Sequence, residues 1–269
     1  MENGFREIKN FIFYLSKPVF HLSALPKLMK HSFEIIYEDD DFVIVNKAPF
    51  VLTIPDRFAP EKFNLFHWLN DHYGRVFVVH RLDKETSGIL IFAKNEEAHR
   101  SLSLQFEGRE VDKFYYVLVE GRVHEEEGVI DKPIAPHPAH PDKMIISAHG
   151  KPSVTHYKVL EYFKNYTFLE ANIKTGRTHQ IRVHFQALGY PLAVDALYGR
   201  KEKFLLSDVK GRKFKLGKEQ EEQPLMVRSS LHAGRLYFQH PRTGEAMTFE
   251  APLPRDFAAV MAQLRKWGK

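Results

Sequence analysis

Two short apolar runs, at residues 76–79 and 89–93, bracket the segment His80-Arg81-Leu82-Asp83-Lys84-Glu85-Thr86-Ser87-Gly88. Runs of this length, rich in Val, Ile and Phe and bounded by polar residues and Gly, read as strands. The polar segment between them then sits at the lip of a sheet. A simple turn does not need an arginine, an aspartate and two hydroxyls packed so closely, and loops held on a rigid scaffold are where binding and chemistry concentrate. Asp83 is therefore the leading catalytic candidate. The plainer reading, an Asp that caps a turn or carries surface charge, stands beside it. Thr86 and Ser87 read first as hydroxyls that stabilise the turn.

The rest of the chain narrows the setting. It has 269 residues, 43% hydrophobic and 27% charged, a composition that supports a folded core. It contains no cysteine, which excludes disulfides, thiolate metal sites and cysteine nucleophiles. No apolar stretch is long enough to span a bilayer, and the polar N-terminus does not read as a secretory signal, so a cytoplasmic protein is expected. A formal net charge of +5 is compatible with a polyanionic partner without demanding one.

The pattern along the chain reads as α+β. Residues 1–32 mix aromatic and basic side chains without periodicity and read as an extension ahead of one domain at 33–269. A hairpin is expected over 34–45 around an acidic turn at Asp39, Asp40 and Asp41. Helices are expected from Asn64 to Gly74, over 96–107, over 181–188 and over 256–267. Strands are expected at 114–120, 154–160, 166–173, 231–238 and 246–250. Residues 134–153 read as a loop with a short apolar stretch at 144–146. Residues 200–224, dense in charge, read as a solvated surface insertion. Hairpin-type connections with interspersed helices favour a mixed, mainly antiparallel sheet over alternating βαβ units.

A second polar cluster, Lys174-Thr175-Gly176-Arg177-Thr178-His179-Gln180-Ile181-Arg182-Val183-His184, follows an expected strand and opens an expected helix. A guanidinium suits a buried carboxylate or a phosphate, since its fork reaches two oxygens at once. His179 and His184 read as hydrogen-bonding side chains rather than metal ligands. The glutamate of a zincin motif is missing, no third ligand is evident, and no metal is expected.

Together these motifs resemble the RluA-type pseudouridine synthases, which isomerise uridine in structured RNA. The likeness runs from Phe33 onward. It rests on Val45-Asn46-Lys47-Ala48-Pro49, on His80-Arg81-Leu82-Asp83 and on Lys113-Phe114-Tyr115. It continues through Thr175 to Arg182, the Pro191-Leu192-Ala193-Val194-Asp195-Ala196-Leu197-Tyr198-Gly199 stretch, Leu231-His232-Ala233 and His240-Pro241. The resemblance implies the pseudouridine synthase fold with flanking helices and a central catalytic cleft. In it Asp83 matches the essential aspartate, Tyr115 the tyrosine that stacks on the base and is a candidate to take the proton from carbon 5, and Arg182 the partner of the aspartate. Arg81 matches an arginine that helps displace the target nucleotide. His80, Thr86, Arg177, His179 and Gln180 are expected to line the RNA-binding surface, and Asp195 to stand behind the site. The expected partner is RNA, ribosomal before transfer RNA, with no membrane, no metal and no cofactor, and a monomer is expected. Many members carry an N-terminal S4 domain, and residues 1–32 are too short for one.

Two rivals come from other classes. A non-catalytic RNA-binding protein on the same scaffold would not need Asp83, Tyr115 and Arg182 together. A glycosidase-like hydrolase would want a second carboxylate opposite Asp83, and no motif supplies it.

Overall fold

The computed structural model describes residues 32–215, 217 and 221–269, so the expectation for the N-terminal extension falls, Ser32 aside, outside the described residues. Among the described residues, ten strands form one sheet. Its main path joins β1 (Phe33–Glu38), β2 (Phe42–Lys47), β4 (Ser87–Ala93), β11 (Leu231–Gln239), β5 (Asp112–Glu120), β10 (Tyr166–Ile173), β9 (Val154–Tyr162) and β6 (Glu127–Asp131) in that spatial order. Strand β3 (Phe77–Val78) pairs with β4, and β12 (Ala246–Glu250) pairs with β11. Among the described strands only β4 and β11 run parallel, so the sheet is mixed and mainly antiparallel, as the pattern predicts.

Both faces of the sheet are covered, and strict alternation along the strands sorts the side chains. Val43, Val45, Leu90 and Phe92 point to the face that holds α1 (Leu65–Tyr73) and α3 (Gln180–Ala187). Phe42, Ile44, Ile89 and Ile91 point to the face covered by α2 (Glu96–Glu107). Further along that face, α5 (Arg255–Trp267) inserts Phe257, Val260, Met261 and Leu264 against Leu118 and Phe168. The helices start where side chains can take up their first free amides. Asn64 accepts from His67 N at 2.9 Å and Asn95 from Ala98 N at 2.8 Å. Among the described residues no helix is long and apolar enough to cross a membrane.

The structure departs from the sequence reading in three places. Residues 134–153 are more than a loop: β7 (Ile134–Pro136) and β8 (Met144–Ile146) form a two-stranded sheet, because Ile134, Met144 and Ile146 bury themselves on Val183 and Tyr198. Strand β6 escapes the pattern because its glutamates and Gly128 mask the period. It is an edge strand and leaves Val129 exposed. The start of the 200–224 segment is anchored rather than solvated. Phe204 is completely buried against Tyr166, and a short helix α4 (Leu206–Lys210) follows it.

Candidate active site

The central crossing of the sheet decides the geometry. Strand β11 lies between β4 and β5, and Ala233 is the register partner of Gly88 on one side and of Tyr115 on the other. The loop that ends in β4 is thus brought next to a strand that starts more than twenty residues later. A Cβ on Gly88 would stand 2.1 Å from Ala233 O, and its φ of +115° lies where side chains are disfavoured. Glycine is required for this approach.

The loop carrying Asp83 is clamped from three directions. Thr53 Oγ1 donates to Leu82 O at 3.1 Å and accepts from Leu82 N at 3.3 Å. Lys47, fully buried, directs its ammonium to the carbonyls of Ala48, Val51 and Lys84 at 2.9–3.1 Å. Burial, with Arg228 nearby, pushes the pKa of Lys47 down to about 7. The Glu85 carboxylate accepts from Ser229 N, and Arg228 donates to Glu85 O while gripping Asp256 with two hydrogen bonds. Thr53, Lys47 and Arg228 lie far from Asp83 in sequence; Lys47 falls within a motif of the resemblance, and no sequence signal ties Thr53 or Arg228 to the loop.

Asp83 itself is about one-third exposed and opens into a cleft of about 540 Å³. Tyr115, Ile173 and Leu231 give the cleft apolar surface, and Arg81, Lys113, Lys174 and Arg177 bring positive charge to its lining. Arg182 Nη1 lies 3.7 Å and His179 Nε2 3.8 Å from the same oxygen, Asp83 Oδ2. Arg182 is more tightly engaged with Asp195, through Nε at 2.6 Å and Nη2 at 2.8 Å. Burial opposes the charge on Asp195, but the guanidinium and the backbone amides of Tyr198 and Leu197 hold its carboxyl below the usual range.

The remaining predicted site residues fall into two groups. Arg81 and Arg177 line the cleft with exposed or partly exposed side chains, and Arg177 Nε donates to Pro152 O at 3.3 Å. The others are occupied within the protein. Thr86 is buried, and its amide closes the turn onto Asp83 O. Gln180 uses its whole amide locally: Oε1 accepts from Thr175 Oγ1 and Arg177 N, and Nε2 donates to Val154 O and Thr155 Oγ1. His80 stacks on Phe106 and accepts from Ile91 N, and burial pushes its pKa down to about 3. His184 bridges Thr155 and Lys132 O, a structural role in keeping with the sequence reading. Lys113, read in the sequence only as part of a motif, is almost fully buried in the cleft wall. Burial lowers its pKa to about 8 against the opposing pull of Asp112. Tyr115 is held as the neutral phenol, its pKa raised by burial and then by the charge of Asp83.

Residues 41–187 match the family model described as RNA pseudouridylate synthase. The chain is 40% identical over 243 residues to an uncharacterized RNA pseudouridine synthase, YlyB, of Bacillus subtilis (strain 168), covering 87% of this chain and 74% of that protein. It is 38% identical over 239 residues to the ribosomal large subunit pseudouridine synthase D of Pseudomonas aeruginosa, covering 87% and 72%. Among solved structures, human RNA pseudouridylate synthase domain containing 1 aligns with a TM-score of 0.63 at 29% identity, over 83% of this chain and 84% of that one. Human RNA pseudouridylate synthase domain containing 4 aligns at 0.67 with 23% identity, over 86% and 92%, a likeness of fold.

Proposed function

The chain belongs to the RNA pseudouridylate synthase family, an isomerase family acting on RNA, and from that premise we propose that it converts uridine to pseudouridine in ribosomal RNA with Asp83 as the reacting carboxylate. The observation that carries the assignment of Asp83 is its position at the mouth of the cleft, faced by Arg182 and His179 through one oxygen. No hydrogen bond from a described residue occupies its other oxygen, Oδ1.

The reaction breaks the bond between the sugar and N1 of the base, turns the base, and rejoins it through carbon 5, from which a proton leaves. The target must leave its stack to reach Asp83. Tyr115 offers its ring face to the everted base, and such stacking contributes roughly 1–3 kcal/mol per base in single-strand binders. As the phenol it is a platform and a hydrogen-bond donor, not a ready base. The Asp83 carboxylate attacks the sugar as its bond to N1 of the base breaks, or adds to the base ring, or takes up the proton that leaves carbon 5. Arg182 steadies the carboxylate, and Arg81 and Arg177, with Lys113 and Lys174 behind them, suit phosphates of the flanking nucleotides. Thr86, Gln180 and His80 shape the loops that present these groups. Residues 33–269 act as one catalytic unit in the cytoplasm, and as a monomer, since one chain supplies every group named.

The reading is tested with RNA from a deletion strain grown on uridine tritiated at carbon 5. Wild type should release tritium, and Asp83→Asn should bind the RNA but release none; near-normal release by the variant would remove Asp83 from the chemistry. Free uracil as product would instead indicate a hydrolase. Pseudouridine mapping of the deletion strain should show a position lost from large-subunit ribosomal RNA. A loss confined to transfer RNA would overturn the substrate assignment.

A further inference from the structure

The Tyr198 side chain has no part in the roles assigned above, yet it touches each group that faces Asp83. Its hydroxyl stands 2.7 Å from His179 Nδ1. Its ring lies under the Arg182 guanidinium at 4.9 Å. Its amide donates to Asp195 Oδ1, the carboxylate that holds Arg182. The β7–β8 hairpin reaches the same hydroxyl, since Met144 N donates to Tyr198 Oη at 2.7 Å. Tyr198 is buried among Ile134 and Val183, with Met144, Ile146 and Leu197 against it, so the phenol has little freedom to turn.

Counting protons around the hydroxyl fixes the state of the histidine. Met144 N–H occupies one lone pair of Oη. If the Tyr198 O–H donates to His179 Nδ1, every group is satisfied and the imidazole carries its proton on Nε2, the nitrogen that faces Asp83 at 3.8 Å. With the proton on Nδ1 instead, the hydroxyl hydrogen would have no acceptor among the described residues, and Nε2 would turn a lone pair toward a carboxylate. Burial keeps the ring neutral, with the Asp83 charge opposing only in part. His179 is also held at φ +55°, in the left-handed region, a backbone state that the surrounding contacts must maintain.

We propose that Tyr198 is a positioning residue: its hydroxyl, seated by the β7–β8 hairpin, fixes His179 with N–H toward Asp83 Oδ2, so that Arg182 and His179 both engage that oxygen and Oδ1 is left to react. The inference rests on the assignment of Asp83 as the reacting carboxylate. A 3.8 Å approach is longer than a hydrogen bond, as catalytic contacts commonly are before substrate binds.

The test combines a spectroscopic and a kinetic readout on the full chain. With [15N]histidine-labelled protein at neutral pH, the His179 resonances should show the Nε2–H tautomer in wild type. They should show a mixture, or the Nδ1–H form, in Tyr198→Phe, which keeps the ring over Arg182. In single-turnover tritium release from deletion-strain RNA, Tyr198→Phe should slow the step roughly 10–100-fold. The enzyme concentration giving half-maximal rate should stay within about twofold of wild type. His179→Gln, whose amide can place an N–H near the Nε2 position, should retain more activity than His179→Leu. An Nδ1–H ring in wild type overturns the proposal, as does a Tyr198→Phe rate within twofold of wild type or a slowed variant with an unchanged tautomer. If Tyr198→Phe fails to fold, the wild-type tautomer and the His179→Gln against His179→Leu comparison decide the matter alone. Absence of tritium release from wild type would instead defeat the isomerase reading, and the spectra would still report on the histidine.

Discussion

Arg182 divides one guanidinium between two carboxylates, holding Asp195 at 2.6 and 2.8 Å while Nη1 stands 3.7 Å from Asp83. The tight pair is almost wholly buried, whereas Asp83 opens to the cleft. Asp195 therefore fixes the direction of the arginine, and Asp83 receives a charge that is already aimed.

Removing one member of such a buried pair strands the other. Asp195→Ala should lower the free energy of unfolding by about 3–5 kcal/mol, measured by urea denaturation. Arg182→Met should abolish turnover, and the double variant Arg182→Met/Asp195→Asn should regain part of the lost stability and none of the activity. Recovery of activity in the double variant would show that Arg182 has no part in the reaction.

The Thr53 hydroxyl serves both backbone groups of Leu82, the residue before Asp83. Thr53→Val leaves those buried groups without their partner and should cost about 1–3 kcal/mol. Turnover should fall with it, and Thr53→Ser should restore both. A Val variant as active as wild type would mean that the loop is held in place without this clamp.

Gly88 is required by backbone contact rather than by chain flexibility. Gly88→Ala should destabilise by more than about 4 kcal/mol or prevent soluble expression, because the added methyl meets the Ala233 carbonyl. Substitution at Gly176, where a Cβ would meet nothing within 4 Å, should be nearly neutral for stability. Equal melting temperatures for the two variants would contradict the close pairing of β4 and β11.

His232 is completely buried between Ser87 Oγ and Ala251 O, and burial lowers its pKa from 6.5 to about 4. The folded state then binds its proton less readily than the unfolded chain. Its contribution to stability is fully present above pH 6.5 and is lost as the pH falls through 4. The loss amounts to about 3 kcal/mol. In His232→Asn the decline in unfolding free energy between pH 6.5 and 4 should be shallower than in wild type. An identical slope would show that other groups govern acid unfolding.

Much of this was legible in the residues themselves. The strands at β4, β5, β10 and β11 and the helices α1, α2, α3 and α5 follow from apolar periodicity, and Asn64 marks the start of α1 by its capping chemistry. Strand β6 and the β7–β8 hairpin were obscured because short strands with Glu, Gly and Pro carry little period of their own. They form through pairing and through burial on neighbours. In the site, sequence singled out Asp83, Tyr115 and Arg182. It gave no sign that Gln180 and His80 are spent on internal contacts, or that Tyr198 joins His179 to the hairpin.

What the sequence determined alone was the chemistry on offer: a carboxylate in a polar turn between strands, an arginine-bearing helix start and an aromatic strand. Each is a local pattern, set by spacing and side-chain type. What only the tertiary structure decided was which of these meet and through which atoms. Parallel pairing of β4 with β11 sets Gly88 across Ala233 from Tyr115. The turn after β10 carries Arg182 back to Asp83 and Asp195. The reason is physical: long-range contacts arise from the register of non-adjacent strands and from satisfying buried charges, and neither leaves a mark at fixed spacing in the chain.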